Sequence, residues 1–262
     1  MPTSVKLSHL LVAPIAIACA TAACAQPAPA AGRAVLQRMH DAYAGRWYAT
    51  LRFVQKTTRY GADGTPTFAT WYESLRQTPD GRTQLRIDLG DPAAGNGILY
   101  TADSSWTFRG GKPAAVRAEG NEFLPLIEGV YMQPVDQTIR QIATTHVDLA
   151  RVATGTWEGR PVTIIGVASS ADSAAPQIWV DDERNVVVRM LLRPTPSSPP
   201  MDIHLGDFVS VGGGWLATKV AMTVDGKQAQ TEDYADWKAG IDLPADLFST
   251  TSWMPRAHWA TR

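Results

Sequence analysis

The stretch NEFLPLIEGVYMQPVDQTIRQIATT, residues 121–145, has a helical hydrophobic period, whereas the sequence on both sides of it alternates like β-structure. Apolar side chains recur in its first half at positions i, i+3, i+4, i+7 and i+8, which share one helix face. These side chains are Phe123, Leu126, Ile127, Val130 and Tyr131. Asn121 is a favourable N-cap, and a second short helix is predicted from Pro134. Because an apolar stripe needs a surface to bury it, we predict that this segment lies across a sheet.

The rest of the chain between residues 47 and 237 has the period-two alternation of half-buried β-strands. Leu85 and Ile87, for example, alternate with the polar Arg86, as expected for a sheet with one wet face. Glycine-rich and aspartate-rich turns separate the strands, which predicts successive hairpins and antiparallel neighbours. We expect about eleven or twelve strands in one strongly curled antiparallel sheet, preceded by a helix at Gly32–Ala44. The expected fold class is mainly β with a helical cover (α+β).

Residues 1–25 have the pattern of an export signal. Lys6 supplies the positive charge, Leu10–Ala20 is a short apolar core, and a small-x-small cleavage site ends at Ala25. The apolar core is shorter than the roughly 20 residues needed to span a bilayer. We therefore expect an exported, periplasmic protein; the alternative is that Cys24 is lipidated and anchors the chain.

The remaining sequence predicts a disordered Pro/Ala-rich leader at residues 26–31 and a single domain at residues 32–262, with the helical insertion at about 121–145. The cysteines, Cys19 and Cys24, both lie in the segment expected to be removed. The mature protein must then be stabilised by its core without disulfides, for which its length is sufficient.

Charge and motifs exclude several function classes. The net charge is −1 and no basic patch is visible, so nucleic acid is not an expected partner. The sequence contains no nucleophile elbow, dinucleotide loop or metal-ligand spacing, so we expect no catalytic residue, cofactor or metal, and a monomer. Asp202 and His204 share a strand face without an evident third ligand. Glu73 has apolar neighbours on its own face, and we expect it to reach a rim or pair with an arginine. An enzyme acting on lipid or glycan would need a polar constellation around these residues.

A curled sheet with an apolar cover has two main interpretations. Either the concavity holds an apolar ligand, or the cover fills it and the protein is a structural or interaction module of the cell envelope. We favour the first interpretation. The candidate ligand-binding residues are Leu51, Phe53, Trp71, Leu85, Ile87, Trp106 and Phe108 on the sheet, and Phe123, Leu126, Ile127, Val130 and Tyr131 on the cover.

The order of elements carries a family resemblance. Its sequence marks are Phe53-x-Gln55 in the first strand, Ile178-Trp179-Val180-Asp181 before a strand with Arg189, Gly214-Trp215, and a closing strand at Glu232–Trp237. The chain resembles the periplasmic outer-membrane lipoprotein-sorting proteins, the Lol-type carriers and their relatives. This resemblance implies an unclosed β-barrel with an α-helical lid that holds acyl chains of lipids or lipoproteins. It also implies donor and acceptor proteins in the envelope as partners.

Overall fold

The computed structural model describes residues 30–193, 195 and 197–261. The predicted signal segment, and the predicted leader up to residue 29, lie outside the described residues. Within these residues the chain forms thirteen strands and three α-helices. None of the helices in this part of the chain has the length and apolar character that a membrane-spanning helix requires.

The elements follow the predicted order. The strands are β1 (Thr50–Tyr60), β2 (Pro66–Gln77), β3 (Thr83–Leu89), β4 (Gly97–Tyr100), β5 (Ser105–Arg109), β6 (Lys112–Arg117), β7 (Val152–Trp157), β8 (Arg160–Ile165), β9 (Gln177–Asp181), β10 (Val186–Leu192), β11 (Met201–Val211), β12 (Gly214–Val224) and β13 (Lys227–Ala239). The α-helices are α1 (Ala31–Tyr43), α2 (Leu124–Ile127) and α3 (Val135–Gln141), and short 3-10 turns lie at Pro92–Ala94, Gly129–Tyr131, Ala143–Thr145, Ala245–Phe248 and Trp259–Thr261.

All thirteen strands form one antiparallel sheet that does not close, in the order β6-β5-β4-β3-β2-β1-β13-β12-β11-β10-β9-β8-β7. Two meanders are therefore joined by the pairing of β1 with β13, in which Lys56 lies opposite Asp233. The predicted mainly-β fold with sequential hairpins and an unclosed sheet is confirmed. The observed number of strands, thirteen, is slightly above the expected eleven or twelve.

The helical cover, residues 121–145, connects β6 to β7, which are the two opposite edges of the sheet. The chain must therefore cross the whole sheet between these strands, and its helices lie over one face. We call this the inner face and the opposite one the outer face. The continuous helix predicted up to Tyr131 is wrong: α2 ends at Ile127 and a 3-10 turn follows at Gly129–Tyr131. The helix breaks at Glu128, whose carboxylate is bound by Trp47 and Tyr48.

Helix α1 supports the cover from the side. It begins at Ala31, so this residue belongs to the helix and not to the leader as predicted. Its buried residues include Val35, Leu36 and Met39. Gly32 lies so close to β8 that a Cβ there would be 2.7 Å from the Ile165 side chain. Glycine at this position therefore allows the helix to approach the sheet closely.

The C-terminal tail covers part of the outer face. It contributes to a second apolar cluster, formed by Leu99, Phe108, Leu243, Leu247, Phe248 and Trp253, with Trp106 and Ile241 beside it. Under the tail, the buried Arg86 guanidinium donates to both carboxylate oxygens of Asp88, at 2.9 and 2.7 Å. It also lies 3.8 Å from the centre of the Trp253 ring, whose indole N–H donates to Asp88 at 3.0 Å. Arg86 thus connects the sheet to the tail.

Replacing Arg86 with Met should destabilise the protein by about 3–5 kcal/mol, because the Asp88 carboxylate would be left buried without its counter-ion. The double variant Arg86→Met/Asp88→Leu should recover a large part of this loss. Denaturant unfolding at neutral pH measures both.

The control is Arg82→Met, which removes an exposed ion pair with Asp80 and should change stability little. If Arg86→Met and Arg82→Met lower the free energy of unfolding equally, the Arg86–Asp88 ion pair does not hold the tail.

Candidate ligand-binding cavity

A cavity of about 270 Å³ lies between the inner face of the sheet and the cover. Small-molecule sites usually have volumes of about 300–1,000 Å³, so this cavity is near the lower end of that range. Apolar side chains from the sheet, the cover and the segment before β1 line it. They are Trp47, Phe53, Trp71, Leu75, Leu85, Ile87, Phe123, Leu124, Ile127, Tyr131, Val186, Val187, Leu205, Phe208, Trp215, Leu216, Ala217, Val220 and Met222.

The candidate residues chosen from the sequence fall into three groups. The first group lines the cavity and consists of Phe53, Trp71, Leu85, Ile87, Phe123, Ile127 and Tyr131. The second group, Leu51, Leu126 and Val130, is fully buried in the main core but does not reach the cavity wall.

Trp106 and Phe108 form the third group and lie on the outer face. Trp106 is opposite Leu99 in the β4–β5 register, and Leu99 is opposite Arg86 in the β3–β4 register. Directly opposed residues point to the same face of a sheet. The structure therefore places both side chains against the C-terminal tail, away from the cavity, in contrast to the inner-face placement expected for them.

Sequence reasoning missed the wall contributed by β10–β13. Val220 and Met222 on β12, and Leu205 on β11, line the cavity from this side. The alternation of apolar and polar residues was visible in both strands. What the sequence did not show is that β13 pairs with β1 and so brings these strands next to the N-terminal meander.

An aromatic cluster of Tyr43, Trp47, Tyr48 and Tyr131 borders the cavity through Trp47 and Tyr131. The rings of Trp47 and Tyr131 are stacked with centroids 3.8 Å apart, and Tyr43 packs edge-on against both. Edge-on pairs such as those of Tyr43 add stability beyond the area they bury. The cluster joins the segment before β1 to the cover.

Glu128 anchors the cover to this cluster. Its carboxylate accepts hydrogen bonds from the Trp47 indole N–H at 2.8 Å and from the Tyr48 hydroxyl at 2.6 Å. Burial raises the pKa of Glu128 to about 7, although the two hydrogen bonds oppose this shift. Two donors therefore fix the carboxyl in place, but its charged form is costly near neutral pH.

The environment of Glu73 in the structure differs from the one expected from the sequence. The expected arginine partner or rim position is not observed. Instead its side chain is 2% exposed, lines the cavity, and has an oxygen, Oε1, without a hydrogen-bond partner among the described residues.

The remaining acidic candidates have structural partners. Asp202 accepts both hydrogen bonds of an Arg189 fork, at 2.8 and 2.7 Å, and lies 3.1 Å from His204. Asp181 is bound by Arg160 and caps the β9–β10 turn through backbone N–H groups of Glu183 and Arg184. In the described part of the chain, no group of three or more His, Cys, Asp or Glu residues is placed to hold a metal ion.

The sequence matches no protein-family model and no curated protein. Solved structures are similar in fold. A putative outer membrane lipoprotein-sorting protein domain from Vibrio parahaemolyticus has a TM-score of 0.58 and 10% identity, covering 83% of this chain and 95% of its own. A DUF1329 family protein from Desulfovibrio piger has a TM-score of 0.56 and 13% identity, covering 84% of this chain and 96% of its own.

The chain shares their fold. The resemblance to lipoprotein-sorting proteins stated from the sequence is thereby confirmed at the level of the fold, over most of the chain. At these identities the likeness concerns architecture, and the chemistry of the site has to be argued from the residues that line the cavity.

Glu128→Gln should remove a pH-dependent loss of stability. The folded-state pKa of Glu128 of about 7 exceeds the ordinary value of 4.5. The contribution of protonated Glu128 to the free energy of unfolding is therefore complete below pH 4.5 and is lost as pH rises through about 7. Relative to wild type, the variant should gain about 3 kcal/mol between these two pH values. Denaturant unfolding of both proteins at matched pH values measures this difference.

The exposed Glu119 supplies the control, because Glu119→Gln should follow the wild-type pH profile. A Glu128→Gln profile that runs parallel to wild type over this range would refute the buried, proton-binding state of Glu128.

Proposed function

We propose that this protein is an exported binding protein that holds a hydrocarbon chain of a lipid or lipoprotein in the cavity beneath its cover. The observation that carries this proposal is a cavity of about 270 Å³ that is lined mainly by apolar side chains on both the sheet side and the cover side. A cover that filled the concavity completely would leave no such volume.

The energetics favour a hydrocarbon chain as the ligand. Each buried CH₂ group contributes about 0.8 kcal/mol of transfer free energy, and the wall offers aromatic and branched aliphatic side chains along both sides. Ordering the chain and immobilising it costs part of this gain. The volume accommodates part of an acyl chain in the observed position of the cover, and a longer ligand requires the cover to move outward.

The proposed setting is the periplasm, and the proposed cargo is the acyl part of an envelope lipid or lipoprotein. Two features support this setting: the export-signal pattern of residues 1–25 and the shared fold with an outer membrane lipoprotein-sorting domain. We propose a non-catalytic role, with envelope donor and acceptor proteins as partners. The protein would act as a monomer.

The decisive experiment measures lipid binding directly. Protein purified after export should carry extractable lipid that native mass spectrometry detects, and the delipidated protein should take up a fluorescent fatty acid analogue. Val220→Phe narrows the cavity from the β12 wall, so uptake should weaken by about tenfold or more, while the fold is retained.

The matched control is Val116→Phe, the same substitution at an exposed position on edge strand β6, which should leave uptake unchanged. If the delipidated wild-type protein takes up no amphiphile, the interior is effectively filled, and the protein is a structural module of the envelope instead.

A further inference from the structure

Glu73 occupies an unusual position for a carboxylic acid. On β2 it lies opposite Phe53 of β1 and Ile87 of β3, and both of these neighbours line the cavity. The side chain is almost completely buried, and Oε1 has no hydrogen-bond partner among the described residues. Buried polar groups in folded proteins are nearly always hydrogen-bonded, so this exception calls for an explanation.

Other buried acids of the described chain are compensated. Asp88 is bound by Arg86, Asp181 by Arg160, and Glu128 by two aromatic donors. Leaving a buried acceptor unpaired costs about 1–3 kcal/mol. Glu73 bears this cost at the wall of a cavity, where a bound molecule can supply the missing donor.

Two other acids, Glu128 and Glu232, line the same cavity. Glu128 is bound by Trp47 and Tyr48, and Glu232 of β13 accepts hydrogen bonds from Gln230 and from the Tyr234 hydroxyl. Burial raises the pKa of Glu73 well above its usual value, and the nearby Glu232 raises it further. The two carboxyl groups therefore interact electrostatically within one wall.

Among the described residues, those that line the cavity include acids but no lysine, arginine or histidine. Arg59 stands near the edge of this wall; it is exposed, lies 5.0 Å from the centre of the Trp71 ring and donates to Gln230 at 3.0 Å. The Arg59 guanidinium therefore already interacts with Trp71 and Gln230. The chemistry inside the wall thus favours a hydrogen-bond donor or a cation and disfavours an anion.

We propose that Glu73 is the polar end of the ligand site, with Glu232 in the same cavity wall, and that it binds the protonated amine of an amine-bearing amphiphile. The hydrocarbon chain of that amphiphile lies along the apolar wall. This inference rests on the proposed binding function and adds the charge and chemistry of the head group.

Three head groups on the same hydrocarbon chain differ in the hydrogen bond and the charge that they would bring next to Glu73. An ammonium group donates to Glu73 Oε1 and satisfies the unpaired acceptor through a charge-assisted hydrogen bond. A fatty carboxylate has no proton to donate to this acceptor, and it would bring a negative charge next to carboxyl groups whose own ionisation burial already disfavours. An alcohol of equal chain length donates one neutral hydrogen bond and should have an intermediate affinity.

The experiment compares dodecylamine, dodecanol and dodecanoate as competitors of a bound fluorescent fatty alcohol analogue, below their micellar concentrations at neutral pH. The wild-type protein should bind dodecylamine at least about tenfold more tightly than dodecanoate. In Glu73→Gln this preference should fall to within about threefold, while the affinity for dodecanol stays within about twofold.

Two further variants serve as references. Glu119→Gln, at an exposed position, should keep the wild-type preference, and Arg59→Gln should not weaken dodecylamine binding. Because Glu73→Gln replaces an unpaired buried acid with a neutral amide of the same shape, it should fold, and its unfolding transition verifies this.

The possible outcomes separate the two proposals. If dodecanol binds but dodecanoate competes as well as dodecylamine, or if Glu73→Gln leaves the preference unchanged, the head-group inference is overturned and lipid binding stands. Tighter binding of dodecanoate that Arg59→Gln abolishes also overturns it. If none of the amphiphiles binds, the proposed function itself fails.

Discussion

The pairing of β1 with β13 is the constraint on which the rest of the structure depends. It joins the N-terminal and C-terminal meanders into one sheet by contacts between residues far apart in the chain, such as Lys56 and Asp233. As a result, β6 and β7 become the two edges, although only the cover separates them in sequence. The cover must therefore span the inner face, and a cavity can form beneath it. A slip in this one register would move the side chains of a whole meander from one face to the other.

The cover is held by polar and aromatic contacts as well as by apolar burial. Glu128 breaks the helix and places its carboxylate between Trp47 and Tyr48, and the stacking of Trp47 on Tyr131 secures the next turn. Both oxygens of the buried Glu128 carboxylate thus accept a hydrogen bond. The buried Glu73, which also lines the cavity, has one oxygen, Oε1, without a partner in the described part of the chain. This contrast distinguishes a hydrogen-bonded acid, Glu128, from the acid on which the head-group proposal rests. Local energetic cost at a site that serves binding is a common feature of functional surfaces.

Much of this architecture was predictable from local sequence, because the relevant signals are periodic. The change from period two to a helical period at residue 121 predicted the cover. The alternation of apolar and polar residues identified cavity-lining sheet residues such as Leu85 and Ile87. Features set by distant partners were not predictable. The interruption at Glu128 depends on donors about 80 residues away. Likewise, Trp106 and Phe108 follow the same alternation as the cavity-lining sheet residues. They lie on the outer face of the sheet, where the C-terminal tail supplies their apolar contacts. The lack of a partner for Glu73, and the volume left beside it, depend on how all the surrounding strands pack together.

The attachment of the cover at both sheet edges limits how it can move. A segment joined at one end can swing outward like a flap, but this one continues into β6 on one side and β7 on the other. Near its middle, the β2–β3 turn presses against it so closely that a Cβ at Gly81 would be 2.5 Å from the Met132 carbonyl oxygen. Widening the space below therefore means flexing the sheet so that its two margins separate, or bowing the cover between fixed ends. The volume of the cavity is then coupled to the curvature of the whole sheet, so that a change in strand pairing at one margin would also alter the position of the opposite margin.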